Sequence, residues 1–244
     1  MLVEFCLPVK NEESILQNNA LKIKDFLSQH RPSYDWRIII LVNGSDDSSL
    51  TIAQELAASD PIHFQARFLA KGGKGLALKS YFKDSSAELL VFIDIDMAVP
   101  LSNLDPLLYP LLTDQADLVV GSRLLPGARV NRPWLRGLSS HIYNYLARLF
   151  FDYQISDLQC GFKALKRSLF NRLQPYLLDD QWFLDTELII FAHYFGYRLA
   201  EIPVDWEERR YKSRQSKIKV FSDSFIFFRN LLNLKKRLHA LEHD

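Results

Sequence analysis

A chain of 244 residues that is 48% hydrophobic and 24% charged carries enough apolar side chain for one sizeable core and too much for a disordered segment. Its formal charge of +1 excludes a global field that would recruit nucleic acid or an anionic surface, so any such attraction is local. Cys6 and Cys160 have neither metal-type spacing nor a disulfide framework, no run of about 18 apolar residues reads as a membrane span, and the opening MLVEFCLPVKNEE lacks a signal-peptide pattern, so a cytoplasmic protein is expected.

Residues 2–7 form a predicted strand, closed by Pro8. Asn11 stands where a helix N-cap would, Glu12 and Glu13 suit a first turn, and Leu16, Ala20, Ile23 and Leu27 make a helical stripe. Residues 36–42 read as a buried strand running into Asn43-Gly44-Ser45-Asp46-Asp47, a turn whose last acid caps a helix over 48–58. A strand over 62–69 leads into Lys71-Gly72-Gly73-Lys74-Gly75 and a helix through Phe82. Residues 89–93 are too short and too rich in strand formers for a helix, and make the next buried strand. Strands alternating with helices predict right-handed parallel β-α-β units.

The second half is less regular. A strand over 117–121 ends in Gly121-Ser122-Arg123, and a polar loop with Pro126, Gly127 and Pro133 follows. A helix is expected over 135–151 with Leu138, Ile142, Tyr145 and Leu149 on its apolar face, then a strand at 162–165, a helix at 183–195 and a strand at 197–204. Residues 209–219 hold six basic and no acidic side chains. They read either as solvated surface or as a loop closing over an anion. In residues 221–241, Phe221, Phe225, Phe228 and Leu232 share a helical stripe widened by Phe227, Leu231 and Leu234, with Arg229, Lys235, Lys236 and Arg237 nearby. Such a helix buries its stripe on the core or in a homodimer, or lies in a membrane interface as a peripheral contact. With no linker in view, the expected organisation is one domain over 1–208, with halves 1–100 and 101–208, and a C-terminal extension over 209–244.

Asp94 and Asp96 stand where the 89–93 strand should end. Alternation puts both carboxylates on one side of an extended chain. Close like charges are costly unless a cation lies between them, and a hard divalent cation takes carboxylate oxygens while leaving coordination sites for phosphate. Ligand crevices of open α/β sheets lie at the carboxyl ends of strands. The pair therefore reads as a metal-diphosphate site, against the plainer reading of solvated turn carboxylates. The glycine-rich turn is not a P-loop, because Phe68 and Gly75 stand where that motif needs Gly and Ser or Thr. It reads as a phosphate edge or as an ordinary turn.

In their order along the chain these motifs resemble the family 2 inverting glycosyltransferases, in the dolichyl- or polyprenyl-phosphate mannosyl- or glucosyltransferase branch. Pro8 to Glu13 is similar to the family's opening Pro-x-x-Asn-Glu, Asn43 to Asp47 to its Asp-Gly-Ser-x-Asp turn, Gly73-Lys74-Gly75 to its Gly-Lys-Gly, and Asp94-Ile95-Asp96 to its metal motif. Gly121-Ser122-Arg123, Asp157 to Lys163, Phe183 to Leu188, Glu201 to Val204 with Trp206, and Ser216-Lys217-Ile218 resemble later family segments.

The resemblance implies a Rossmann-like nucleotide-diphospho-sugar transferase (GT-A type) fold, an α/β domain with a mostly parallel central sheet flanked by helices. The first half would bind nucleotide and the second would bind acceptor. Pro8, Val9, Asn11, Glu12, Asn43, Lys74 and Asp94 would line the donor site, and Asp94 with Asp96 would hold Mg²⁺ or Mn²⁺ against the diphosphate. Arg123, Arg136, Ser140 and Lys217 would hold the lipid phosphate acceptor, with Asp94, Asp96 and Arg123 as the catalytic set. Three departures stand out. Val42 and Asn43 occupy positions where the family's turn often carries acids, Ala98 replaces a frequent polar ligand, and the membrane helices that follow the catalytic domain in many relatives are not seen. Two rival readings are a family 2 transferase acting on a soluble or glycan acceptor, with Asp185 or Glu187 as general base, and a silent nucleotide-sugar-binding subunit.

Overall fold

The structure, a computed structural model, describes residues 1–30, 32–131, 134–207 and 220–242, with backbone only at 134–139 and 220–225. Strands β1 (Leu2–Val9), β2 (Asp35–Asn43), β3 (Phe64–Leu69) and β4 (Leu89–Ile93) alternate with helices α1 (Glu13–His30), α2 (Ser49–Ser59) and α3 (Lys74–Asp84). Then come α4 (Leu104–Leu112), β5 (Leu118–Ser122), β6 (Val130–Asn131), α5 (Trp134–Phe150), β7 (Phe162–Lys166), α6 (Arg167–Leu173), α7 (Leu184–Tyr194), β8 (Leu199–Pro203), β9 (Trp206–Glu207) and α8 (Val220–Leu241). The main sheet has seven strands in the order β3-β2-β1-β4-β7-β5-β8. Neighbouring pairs are parallel except the two made by β7, which runs antiparallel between β4 and β5. The mostly parallel sheet expected from the sequence is therefore present.

Period-2 alternation divides the core between the faces of this sheet. Val3, Phe5, Leu7 and Val9 of β1 join Ile15, Leu16 and Ile23 of α1 and Leu104, Leu107 and Leu108 of α4 on one face. Cys6 of β1 joins Leu78 of α3, Leu169 of α6, Ile189 of α7 and Leu231 of α8 on the other. Burial on both faces is why these strands read as continuous apolar runs.

Several boundaries differ from the sequence expectation. Pro8 does not close β1 but lies within it, opposite Leu41. Asn11 is not the cap of α1, because its φ is +52°. Instead Asp47 Oδ2 accepts the Glu13 N–H at 3.0 Å and Ser49 Oγ accepts that of Glu12 at 3.0 Å, so the second turn caps the first helix. Asp47 also accepts the Ser49 N–H at the start of α2, as expected of it. Helices α4 and α6 and strands β6 and β9 were not anticipated. Pro110 interrupts the reading of α4, and α6 is only 7 residues long.

The C-terminal helix docks on the molecule through Leu231, Leu234 and Leu238, which are buried in the second core. Of the expected stripe, the widening residues Leu231 and Leu234 are buried, whereas Phe228 and Leu232 are exposed, and Phe221 and Phe225 lie outside the described side chains. Among the described residues no helix is long and apolar enough to cross a membrane.

Candidate active site

The carboxyl ends of β1, β2 and β4 converge on one edge of the sheet, and their loops hold one another. The Asn43 amide donates to the Val9 carbonyl at 2.9 Å and the Leu41 carbonyl at 3.2 Å, and its oxygen accepts the Gly73 N–H at 2.9 Å. Asn43 is thus a buried latch joining the ends of β1 and β2 to the glycine turn, with both amide protons engaged. Asn11, in the left-handed region, donates to Asp46 at 2.5 Å and accepts the Asp46 N–H at 3.0 Å. Val9 offers only backbone, since its side chain is fully buried, whereas Pro8 is half-buried and Glu12 is buried.

The glycine turn is closed from the far side. The Gly75 and Leu76 N–H groups donate to the carbonyls of Gln181 and Asp180 at 3.1 and 2.9 Å. These first amides of α3 are therefore satisfied by protein, so the part of the turn left to face a phosphate is its lysine side chain and not these N–H groups. What the turn delivers is Lys74, only 8% exposed. Its ammonium lies 3.1 Å from Asp94 Oδ1 and 3.3 Å from Asp185 Oδ2. The Phe92 and Trp182 rings flank it at 5.3 and 5.2 Å. Lys163, fully buried, reaches Asp185 Oδ1 at 2.6 Å and the Cys160 carbonyl at 2.5 Å. A run of alternating charge, Lys163–Asp185–Lys74–Asp94, thus leads from the core to the strand end. Burial alone would raise the Asp185 carboxyl, but the charges of Lys163 and Lys74 outweigh it and hold the pKa below the ordinary value. Burial likewise opposes the Lys74 ammonium, and Asp185 with Asp94 overcomes this and raises its pKa.

Asp94 and Asp96 do not lie on an extended chain. Residues 94–97 form a turn in which Met97 N–H donates to the Asp94 carbonyl at 3.0 Å and Met97 adopts φ +50°. Both carboxylates are half-buried, and Asp96 accepts the Ala98 N–H at 3.3 Å. A methyl group added at Gly161 would fall 1.9 Å from Asp94 Oδ2, so the Asp94 carboxylate lies against that glycine's α-carbon. Among the described residues no three His, Cys, Asp or Glu side chains gather as a metal site. The donor set is hard oxygen from Asp94 and Asp96, which fits Mg²⁺ or Mn²⁺ when diphosphate and water complete the coordination.

Arg123 forms a two-pronged ion pair with Asp157, Nε–Oδ2 at 2.7 Å and a terminal N–H to Oδ1 at 2.9 Å, and lies 4.8 Å from the Trp206 ring centroid. Asp157 is fully buried; burial would raise its pKa, but Arg123 holds it below the usual carboxylate range. Glu201 in turn accepts the Ser156 and Asp157 N–H groups at 2.7 and 3.2 Å. The sequence picked out Arg123 without its partner. Ser140 is half-buried on α5, and its carbonyl accepts from Asn144 at 2.9 Å. The Arg136 side chain and Lys217 lie outside the described residues.

The candidate general bases are both engaged. Asp185 is held between two lysines, and Glu187 accepts the Asp179 N–H at 2.8 Å and pairs with Arg237 at 2.5 Å. Burial raises the Glu187 pKa, with those partners opposing it. Sequence reasoning missed Lys163, Gly161 and Trp182 as site residues. The first two sit inside the Asp157 to Lys163 motif, which was the available signal. Trp182, 38% exposed beside Lys74, had none.

Comparison with known proteins shows the family and the fold. The sequence profile of "Glycosyl transferase family 2" matches residues 4–174. Glycosyltransferase AglD of Haloferax volcanii is 35% identical over 207 residues, covering 85% of this chain and 33% of that protein. Dolichyl-phosphate beta-glucosyltransferase ALG5C of Trichomonas vaginalis is 31% identical over 219 residues, covering 84% of this chain and 63% of that protein. The chain therefore spans between a third and two thirds of these relatives' length. Among solved structures, glucosyl-3-phosphoglycerate synthase from Mycobacterium tuberculosis, in complex with Mn²⁺, uridine diphosphate and phosphoglyceric acid, superposes with a TM-score of 0.65 at 17% identity, covering 97% of this chain and 78% of that one. That likeness establishes the GT-A fold.

Proposed function

The chain belongs to glycosyl transferase family 2, and from that premise we propose that it moves a hexose, with inversion, from a nucleotide-diphospho-sugar to a polyprenyl or dolichyl phosphate. The observation that carries this reading is the Asp94 turn at the carboxyl end of β4, with the buried Lys74 ammonium 3.1 Å from its carboxylate. Asp94 and Asp96 would hold the divalent ion, and Lys74 would pair with the donor phosphates. When bound, the ion neutralises charge developing on the departing nucleoside diphosphate. Trp182 gives the site an exposed aromatic face, and Pro8 near the end of β1, with Asn11 and Glu12 in the loop after it, would line its edge.

A phosphate acceptor needs positioning more than deprotonation, because its second pKa is about 6. This suits a site whose two candidate bases are buried and ion-paired. Arg123, kept in orientation by Asp157, would hold that phosphate with Ser140; for Arg136 and Lys217, which lie outside the described side chains, the same role rests on the sequence resemblance alone. A lipid acceptor is further supported by an outward apolar face. Ile142, Tyr145 and Leu149 of α5 are 50%, 64% and 61% exposed, beside exposed Phe228 and Leu232 of α8. Phe150 and Phe228 join the two helices at 5.8 Å. We assign this face to a peripheral membrane contact, with Arg229, Lys235 and Lys236 as its basic residues. Arg237 is excluded because it pairs with Glu187.

Transfer from nucleotide-[¹⁴C]hexose donors is measured with Mn²⁺, with and without polyprenyl phosphate. Label entering the organic phase only when the lipid is present supports the proposal. Label moving to a soluble acceptor, or no turnover at all, contradicts it.

A further inference from the structure

The Lys163–Asp185–Lys74–Asp94 run presents a puzzle for metal binding. Asp94 Oδ1 already has an ammonium ion 3.1 Å away, and Asp94 Oδ2 lies against the Gly161 α-carbon. Lys74 is held there firmly, by Asp185 at 3.3 Å, by two aromatic rings and by burial to 8% exposure. The two lysines balance the charges of Asp185 and Asp94, so a bare divalent ion arriving at the Asp94 turn meets a carboxylate already neutralised. Two cations near one oxygen repel, and in a half-buried site that repulsion is weakly screened.

A diphosphate changes this balance. It brings negative charge that compensates the incoming ion and supplies acceptor oxygens to which the Lys74 ammonium can turn. Asp185, still paired with Lys163, keeps that ammonium close while it reorients. We propose that Lys74 is a resident counter-ion of the metal motif. It keeps Asp94 closed to a divalent cation until a nucleoside diphosphate draws the ammonium away, so that metal and nucleotide load together. This rests on the reading of the Asp94 turn as a metal-diphosphate site. It makes Lys74 a positioning residue that sets the order of loading, in addition to any contact with the donor.

Free Mn²⁺ is followed by its electron paramagnetic resonance signal in titrations of the wild-type chain, Lys74→Met and Lys74→Arg, each alone and with uridine or guanosine diphosphate. The wild type is expected to take up Mn²⁺ at least about tenfold more tightly with one of the diphosphates than without. Lys74→Met is expected to bind Mn²⁺ alone at least about tenfold more tightly than the wild type and to lose most of the nucleotide dependence, whereas Lys74→Arg keeps the wild-type order. A folded Lys74→Met chain, judged by near-ultraviolet circular dichroism, that binds Mn²⁺ alone no better than the wild type overturns the proposal while leaving the metal-diphosphate reading intact. Wild-type protein that takes up no Mn²⁺ with either diphosphate overturns both. Should Lys74→Met not fold, the wild type itself decides through its ¹⁵N-lysine spectrum. The buried Lys74 ammonium signal should move on adding Mg²⁺ with diphosphate and stay in place on adding Mg²⁺ alone, and a shift with Mg²⁺ alone refutes the exchange.

Discussion

Single residues in the site are fixed by close approach and by charge. Gly161 leaves room for the Asp94 carboxylate, whose Oδ2 would lie 1.9 Å from an added Cβ. Gly161→Ala should therefore displace the Asp94 carboxylate, weakening Mn²⁺-nucleoside diphosphate binding by about tenfold or more at a stability cost of about 1–3 kcal/mol. Calorimetry and urea unfolding separate the two effects. Asp157→Asn should cost about 3–5 kcal/mol, because it leaves the Arg123 guanidinium without its buried counter-charge. Its pH dependence follows from the sign of the shift. The Asp157 carboxyl is held below its usual range in the fold, so its contribution is complete above the unfolded value of about 4 and is lost as pH falls through the lower folded value. The stability gap between wild type and variant should stay constant from pH 7 to 5 and close only in stronger acid. Neither partnership could be read from sequence, since 34 residues separate Arg123 from Asp157 and 67 separate Asp94 from Gly161.

At the scale of elements, α8 has two faces with different duties. Its inner face buries Leu231, Leu234 and Leu238, and its outer face exposes Phe228 and Leu232. Leu234→Ala should destabilise the fold by about 2–5 kcal/mol, as deletion of a buried leucine does. Phe228→Ser with Leu232→Ser should change stability by less than about 1 kcal/mol while reducing sedimentation with anionic liposomes at low salt. Equal sedimentation of wild type and double variant would refute the membrane contact. The amphipathic pattern of α8 was legible, but its rotation was not. With apolar residues on most sides, periodicity alone cannot say which stripe meets the core. Helix α6 was too short for periodicity to reveal, and the true cap of α1 lies elsewhere in the chain, at Asp47 and the first residue of α2, Ser49.

Over the whole molecule, the alternating strands and helices of the first half were legible because each buried strand carries its own apolar run. The position of β7 was not. Running antiparallel beside β4, with Phe162 opposite Ile93, it brings its starting end to the carboxyl ends of the parallel strands. That reversal carries Gly161 and Lys163 to Asp94 and Asp185, and only the sheet topology explains why a motif far along the chain completes the site. The central claim is that this convergence binds a nucleoside diphosphate through a divalent ion. The most direct test is calorimetric titration of the wild-type chain and Asp96→Asn with uridine and guanosine diphosphate, in Mn²⁺ and in chelator. One diphosphate should bind the wild type at least about tenfold more tightly in Mn²⁺, a difference of about 1.4 kcal/mol, and Asp96→Asn should lose that gain while keeping its fold. Equal affinity in Mn²⁺ and in chelator for the wild type would contradict the claim.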